Sequence, residues 1–128
     1  MDEASPCQRM TVILVDDDPD VLRSLRFAFE VEGFDVSAFS SGEVLLAQPH
    51  IDPNACLVLD LHLEGVDGLT LLEGLRAVGH RHPAILITTP NDAVLARAAR
   101  AGVGVIEKPL LCDSLVGEVR RLLRAAAG

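Results

Sequence analysis

Five short runs of strand length, each followed by a stretch of helical period, constrain this chain more than any other feature. Thr11–Val15 (TVILV) is β-branched, too short for a helix and suited to a buried strand. From Pro19 the period changes, and Val21, Leu22, Leu25, Ala28 and Phe29 share one helical face. Asp18 or Asp20 suits the start of that helix, Pro19 fits an early helical position, and Gly33 ends it. Phe27 falls on the opposite, outward face. The alternation then repeats. Strands are expected over Asp35–Phe39, Cys56–Leu59, Ala84–Thr88 and Val103–Ile106. Helices are expected over Gly42–Gln48, Leu69–Val78, Asp92–Ala101 and Asp113–Ala126. Inward positions in the third helix are Leu69, Leu72 and Leu75, and in the last Leu115, Val119, Leu122 and Leu123.

Strand runs that are apolar throughout, without alternation, imply a sheet buried on both faces. Strands alternating with helices through short loops imply a parallel sheet with right-handed crossovers. The expected architecture is an α/β flavodoxin-like, doubly wound five-stranded parallel sheet with five helices, in strand order 2-1-3-4-5. At 128 residues the chain suits one domain, read as a short tail over 1–10 and a folded unit over 11–128.

Composition removes several classes of function. A net charge of −8 repels nucleic acid, whose binding depends on neutralising phosphates, and with no Trp or Tyr there is no stacking platform. Direct nucleic-acid binding is therefore not expected. No apolar run approaches the roughly 18–20 residues needed to span a bilayer. Met1–Met10 is acidic and polar where a signal peptide would be basic and then apolar. No membrane partner and a cytoplasmic location are expected. Cys7, Cys56 and Cys112 are odd in number and too widely spaced for a disulfide framework or a CxxC clip, so they read as reduced thiols.

In an open parallel sheet, ligands bind beyond the carboxyl ends of the strands. The first strand ends in Asp16, Asp17 and Asp18, the third in Asp60, the fourth in Thr88 and Thr89, and the fifth in Lys108. Crowded carboxylates repel one another unless a cation sits between them. Oxygen donors without nearby His or Cys favour Mg2+, with Mn2+ as a substitute. Lys108 adds a positive point charge and Thr88 a hydroxyl, so the set would surround a phosphoryl group. A carboxylate can itself accept that group as an aspartyl phosphate, and Asp60, alone at the end of a central strand, is the candidate nucleophile.

Four segments, VILVDDDPDVL (Val12–Leu22), LVLDLHLEGVDG (Leu57–Gly68), AILITTPND (Ala84–Asp92) and AGVGVIEKPL (Ala101–Leu110), occur in the order and spacing of a known family. The chain resembles the receiver domain of two-component response regulators over essentially its whole length from Thr11. The resemblance implies a phosphoacceptor signalling domain, with slow autodephosphorylation and no enzymatic turnover. It assigns metal binding to Asp17 directly, to Asp16 through water, to Asp60, and to the backbone carbonyl of His62. Asp60 accepts the phosphoryl group, Thr88 is the switch hydroxyl, Thr89 supplies a backbone N–H, and Lys108 pairs with the phosphate. Pro109 would follow a cis peptide bond. The implied partner is a sensor histidine kinase or histidine phosphotransfer protein. A downstream protein and a homodimer are left open. If this is the whole protein, no effector domain is attached, and the signal leaves through protein contacts or ends as a phosphate sink.

Two positions depart from the family pattern. Val105 stands three residues before Lys108, where Tyr or Phe is usual, and Glu64 stands four residues after Asp60, where proline is common. A stiff valine cannot swing in and out as a ring does, so a muted conformational response is expected on the face of the fourth helix, fifth strand and fifth helix. Phe27 is a candidate contact for a kinase.

Other readings fare worse. A calcium loop starting at Asp16 fails because Val21 and Phe27 stand where Gly and Glu are needed. The alternative function is a small aspartyl-phosphate hydrolase of haloacid dehalogenase type, for which Asp16–Asp18 supplies a D-x-D motif. That reading lacks the acidic pair after the lysine and has no room for a cap. His80 and His82, flanking Arg81, read as a solvated turn. Arg120, Arg121 and Arg124 complement the C-terminal dipole of the last helix, with a basic docking patch as the other reading.

Overall fold

A computed structural model describes residues 10–63, 65–89, 91–107 and 112–127. In chain order the elements are β1 (Thr11–Val15), α1 (Pro19–Val31), β2 (Asp35–Phe39), α2 (Gly42–Leu46), β3 (Ala55–Asp60), α3 (Gly68–Ala77), β4 (Ala84–Thr88), α4 (Asp92–Ala101), β5 (Gly104–Glu107) and α5 (Cys112–Ala127). All strand pairs are parallel and the sheet order is β2-β1-β3-β4-β5, the doubly wound order expected from the alternation. Several boundaries differ from expectation by one or two residues. The useful shift is at β3, which runs through Asp60 and so makes that carboxylate part of the sheet.

The two faces of the sheet carry separate cores, because successive side chains of a strand point to opposite sides. Ile13, Val15, Leu57, Leu59 and Leu86 pack with Leu45, Leu69, Leu72, Leu75 and Ala98, which puts α2, α3 and α4 on one face. Val12, Leu14, Cys56, Val58, Ile85 and Ile87 pack with Leu25, Phe29, Leu115, Val119 and Leu123, which puts α1 and α5 on the other. The central strands β1, β3 and β4 are buried almost throughout, whereas the edge strands β2 and β5 are half exposed. Leu122 is only partly buried, and Val116, not among the expected inward positions, is buried beside Leu115. Cys56 lies wholly in the interior, and burial pushes its thiol up to about 12. No helix among the described residues is long and apolar enough to cross a membrane.

Local capping fixes where the helices begin. Asp18 accepts the Asp20 N–H at 2.9 Å, with Pro19 in the first helical position. Asp67 accepts the Thr70 N–H at 2.7 Å and starts α3. Each cap satisfies a backbone donor that the helix itself leaves unpaired.

One surface expectation is corrected. His82 is not in a solvated turn: it is 2% exposed, and its Nε2 lies 2.7 Å from the Asp52 carbonyl oxygen. The Pro83 carbonyl accepts the Leu57 N–H at 2.9 Å, which ties this loop to β3. Of the three arginines on α5, Arg124 lies in the last turn, as the dipole reading expects, while Arg120 and Arg121 are drawn into local pairs. Arg120 donates to the Glu32 carboxylate at 2.9 Å and stacks over the Phe34 ring, while Arg121 grips Glu118. Phe27 is outward as expected, at 70% exposure.

Candidate functional site

Strand register assembles the site. Val15 pairs with Leu59, so Asp16, the next residue, stands level with Asp60 across the β1–β3 ladder. Asp60 pairs with Ile87, which places Thr88 one step further along the same edge. The Asp16 N–H bonds to the Phe39 carbonyl at 3.2 Å and the Leu61 N–H to the Ile87 carbonyl at 3.0 Å, so the ladder hydrogen bonding continues past the strand ends.

Asp16, Asp17 and Asp60 each place a carboxylate oxygen within 4.8 Å of the others. Asp16 and Asp60 are both only 4% exposed, while Asp17 faces solvent. Carboxylates at this spacing repel one another, and a hard cation between them offsets that repulsion. These three residues could hold a metal ion. Hydrogen bonds already orient two of them: Asp16 Oδ1 accepts the Asp18 N–H at 2.9 Å, and Asp60 Oδ1 accepts the His62 N–H at 3.1 Å. Asp18 stands outside the cluster because its carboxylate caps α1. The D-x-D motif of the hydrolase alternative therefore does not deliver two carboxylates to the site.

Thr88 ends β4 fully buried, and its hydroxyl donates to the Thr89 carbonyl at 3.3 Å; Thr89 itself is exposed. Thr88 pairs in register with Glu107. Lys108 and Pro109, which follow Glu107, lie outside the described residues, as does Glu64. Val105 is half buried and packs against the core on the α3–α4 side.

One residue of the site escaped the reading of the sequence. A Cβ added to Gly68 would lie 2.3 Å from the Asp60 carbonyl oxygen and 3.1 Å from Leu86. The Gly68 N–H also donates to the Leu61 carbonyl at 3.0 Å. Only a residue without a side chain lets α3 start so close to the end of β3. The signal was the Asp67-Gly68 pair at the head of an apolar helix, where Asp is the cap and Gly the point of approach.

The loop between them is secured at its far end. Asp67 accepts from the Thr70 N–H and from Arg97 of α4 at 3.4 Å. Burial pushes the Asp67 carboxyl up, but the Thr70 donors and the Arg97 guanidinium outweigh it and hold the group below its ordinary range. Gly65, within the loop, has φ +87°, a left-handed conformation that favours glycine.

Residues 12–120 match the family model of the response regulator receiver domain. The C4-dicarboxylate transport transcriptional regulatory protein DctD of Rhizobium meliloti is 34% identical over 113 residues, covering 87% of this chain and 25% of DctD. The response regulator protein TodT of Pseudomonas putida is 33% identical over 132 residues, covering 94% of this chain and 58% of TodT. Among solved structures, FixJ-N superposes with a TM-score of 0.82 at 32% identity, covering 91% of this chain and 95% of that one. The chain thus spans about a quarter of DctD and somewhat over half of TodT.

Proposed function

The chain belongs to the response regulator receiver domain family, and on that premise we propose that Asp60 accepts a phosphoryl group from the phosphohistidine of a sensor histidine kinase or histidine phosphotransfer protein. The observation that carries the assignment is the buried Asp60 carboxylate at the end of a central strand, within 4.8 Å of the Asp16 and Asp17 carboxylates. Three hard oxygen donors fit Mg2+, with Mn2+ as a substitute, and a sulfur- or nitrogen-preferring metal fits poorly. Asp16, Asp17, Asp60 and the His62 backbone carbonyl would hold it. When bound, the ion offsets the negative charge that gathers on the phosphoryl oxygens.

The residues of the chain divide the remaining work. The His62 N–H fixes one Asp60 oxygen and so orients the carboxylate for attack. A carboxylate oxygen attacks phosphorus, the P–N bond to the donor imidazole breaks, and the imidazole leaves with the electron pair. The Thr88 hydroxyl, turned toward the Thr89 carbonyl, would swing to donate to a phosphoryl oxygen. The Thr89 N–H and the Lys108 ammonium would take the others. Hydrolysis of the acyl phosphate is slow, so the domain is a signalling acceptor with autodephosphorylation and no turnover of a small substrate. A cytoplasmic site of action fits this donor, and output passes through protein contacts or ends with phosphate loss.

The test is phosphotransfer from a panel of autophosphorylated histidine kinases, followed by intact mass. Label should reach the wild-type chain in Mg2+ and not the Asp60→Asn chain. Transfer from no kinase, or equal transfer to the variant, contradicts the proposal.

A further inference from the structure

The cleft between α3 and α4 has a volume of about 390 Å3 and is lined by Glu73, Arg76, Arg97, Arg100 and Ala101. Three of the chain's 11 basic residues meet over this opening, against one acidic lining residue, in a chain of net charge −8. Positive charge near a helix C-terminus is ordinary, and it accounts singly for Arg76 and Arg100, each in the last turn of its helix. It does not account for their meeting over one cleft together with Arg97. Arg97 and Arg100 are three residues apart and so share a helix face. Like charges gathered in this way repel one another, and Glu73 in the lining with Asp67 beside Arg97 offsets only part of the three positive charges.

Two of the three guanidiniums are anchored without being used up. Arg76 donates one N–H to the Ala101 carbonyl, and Arg97 reaches Asp67 at 3.4 Å and Thr70 at 3.5 Å. Each guanidinium has five donors in a rigid fork that matches phosphate oxygens in pairs. Arg100 is exposed and makes no ion pair with a described residue. The volume falls in the range of small-ligand sites, about 300–1,000 Å3.

We propose that this cleft binds a phosphorylated small molecule of about the size of a nucleoside diphosphate, held by Arg76, Arg97 and Arg100. Binding draws on Arg97, the partner of the α3 cap Asp67, and so reaches the loop that follows Asp60. That link to signalling rests on the role proposed for Asp60; binding itself does not.

The probe is sodium pyrophosphate, titrated into the metal-free 15N-labelled chain at constant ionic strength while the arginine Nε–Hε and backbone amide resonances are followed. The expected result is a saturable shift at Arg76, Arg97 and Arg100 and at the amides of Asp67 and Thr70, with Arg23, Arg26 and Arg121 unmoved. Arg100→Glu should weaken binding by about tenfold or more, the loss of one charge-assisted contact, with an unchanged melting temperature. Several results would overturn the proposal: a linear drift of all arginines together, equal affinity in the variant, shifts centred on Asp16, Asp17 and Asp60, or tighter binding of a tetraglutamate peptide than of pyrophosphate.

Discussion

The carbonyl oxygen of Asp60 lies 2.3 Å from the point where a Cβ on Gly68 would sit, so the end of β3 and the start of α3 touch backbone to backbone. The obstacle is a carbonyl group in a buried ladder, which cannot step aside as the tip of a side chain can. Gly68→Ala should therefore cost about 1–3 kcal/mol, the usual range for overpacking. It should also shift the loop that positions Asp60 and weaken Mg2+ binding. Urea melts and a Mg2+ titration by calorimetry check both effects; a variant with wild-type stability and affinity would contradict the close approach.

The cap of α3 supplies a pH-dependent contribution. The Asp67 carboxyl is held below its ordinary range by the Thr70 donors and Arg97 against the opposing effect of burial. A carboxyl lowered in the folded state stabilises the fold at pH values above its unfolded value, near 3.9, and that stabilisation is lost as pH falls through the lower folded value. Asp67→Ala should cost about 1 kcal/mol at neutral pH, as loss of a cap usually does. The gap between wild type and variant should narrow in acid below the carboxylate range. A gap that stays constant into that range would show that the charge contributes nothing.

Metal binding should be visible as stability. At a Mg2+ concentration tenfold above its dissociation constant, linkage gives about 1.4 kcal/mol, or roughly 4–6 °C in melting temperature for a domain of this size. Asp17→Ala should remove most of this shift and raise apo stability slightly by relieving repulsion with the Asp16 and Asp60 carboxylates. Circular dichroism melts suit a chain without Trp. A full shift in the variant would locate the metal elsewhere.

Much of this was legible in the sequence, and the exceptions have physical causes. The five-strand alternation predicted the sheet because apolar runs of strand length have few other places to go. Asp16 and Asp60 were legible for the same reason, since each directly follows or closes such a run. The division of labour within Asp16–Asp18 was not, because a capping carboxylate and a metal-binding one are the same residue type. Gly68 needed the third dimension: its constraint comes from Asp60, eight positions away in sequence but in contact across the loop. His82 was misread as solvated because nothing in its own segment reveals that the Asp52 carbonyl waits for it.

Val105 leads to a fourth prediction. The residue already packs half buried against the core, and its single β-branched χ angle leaves no large group to move. Beryllofluoride with Mg2+ should shift amides near Asp60, Thr88 and Thr89 strongly and those over Ala93–Ile106 only slightly. A large concerted change over Ala93–Ile106 would contradict the muted response.

The central claim is that Asp60 is the phosphoacceptor of a metal-dependent site. Incubation with acetyl phosphate and Mg2+, read by intact mass, tests it most directly. The account predicts one phosphoryl group on the wild-type chain, little without Mg2+, and none on Asp60→Asn. An adduct of unchanged yield on Asp60→Asn would contradict it.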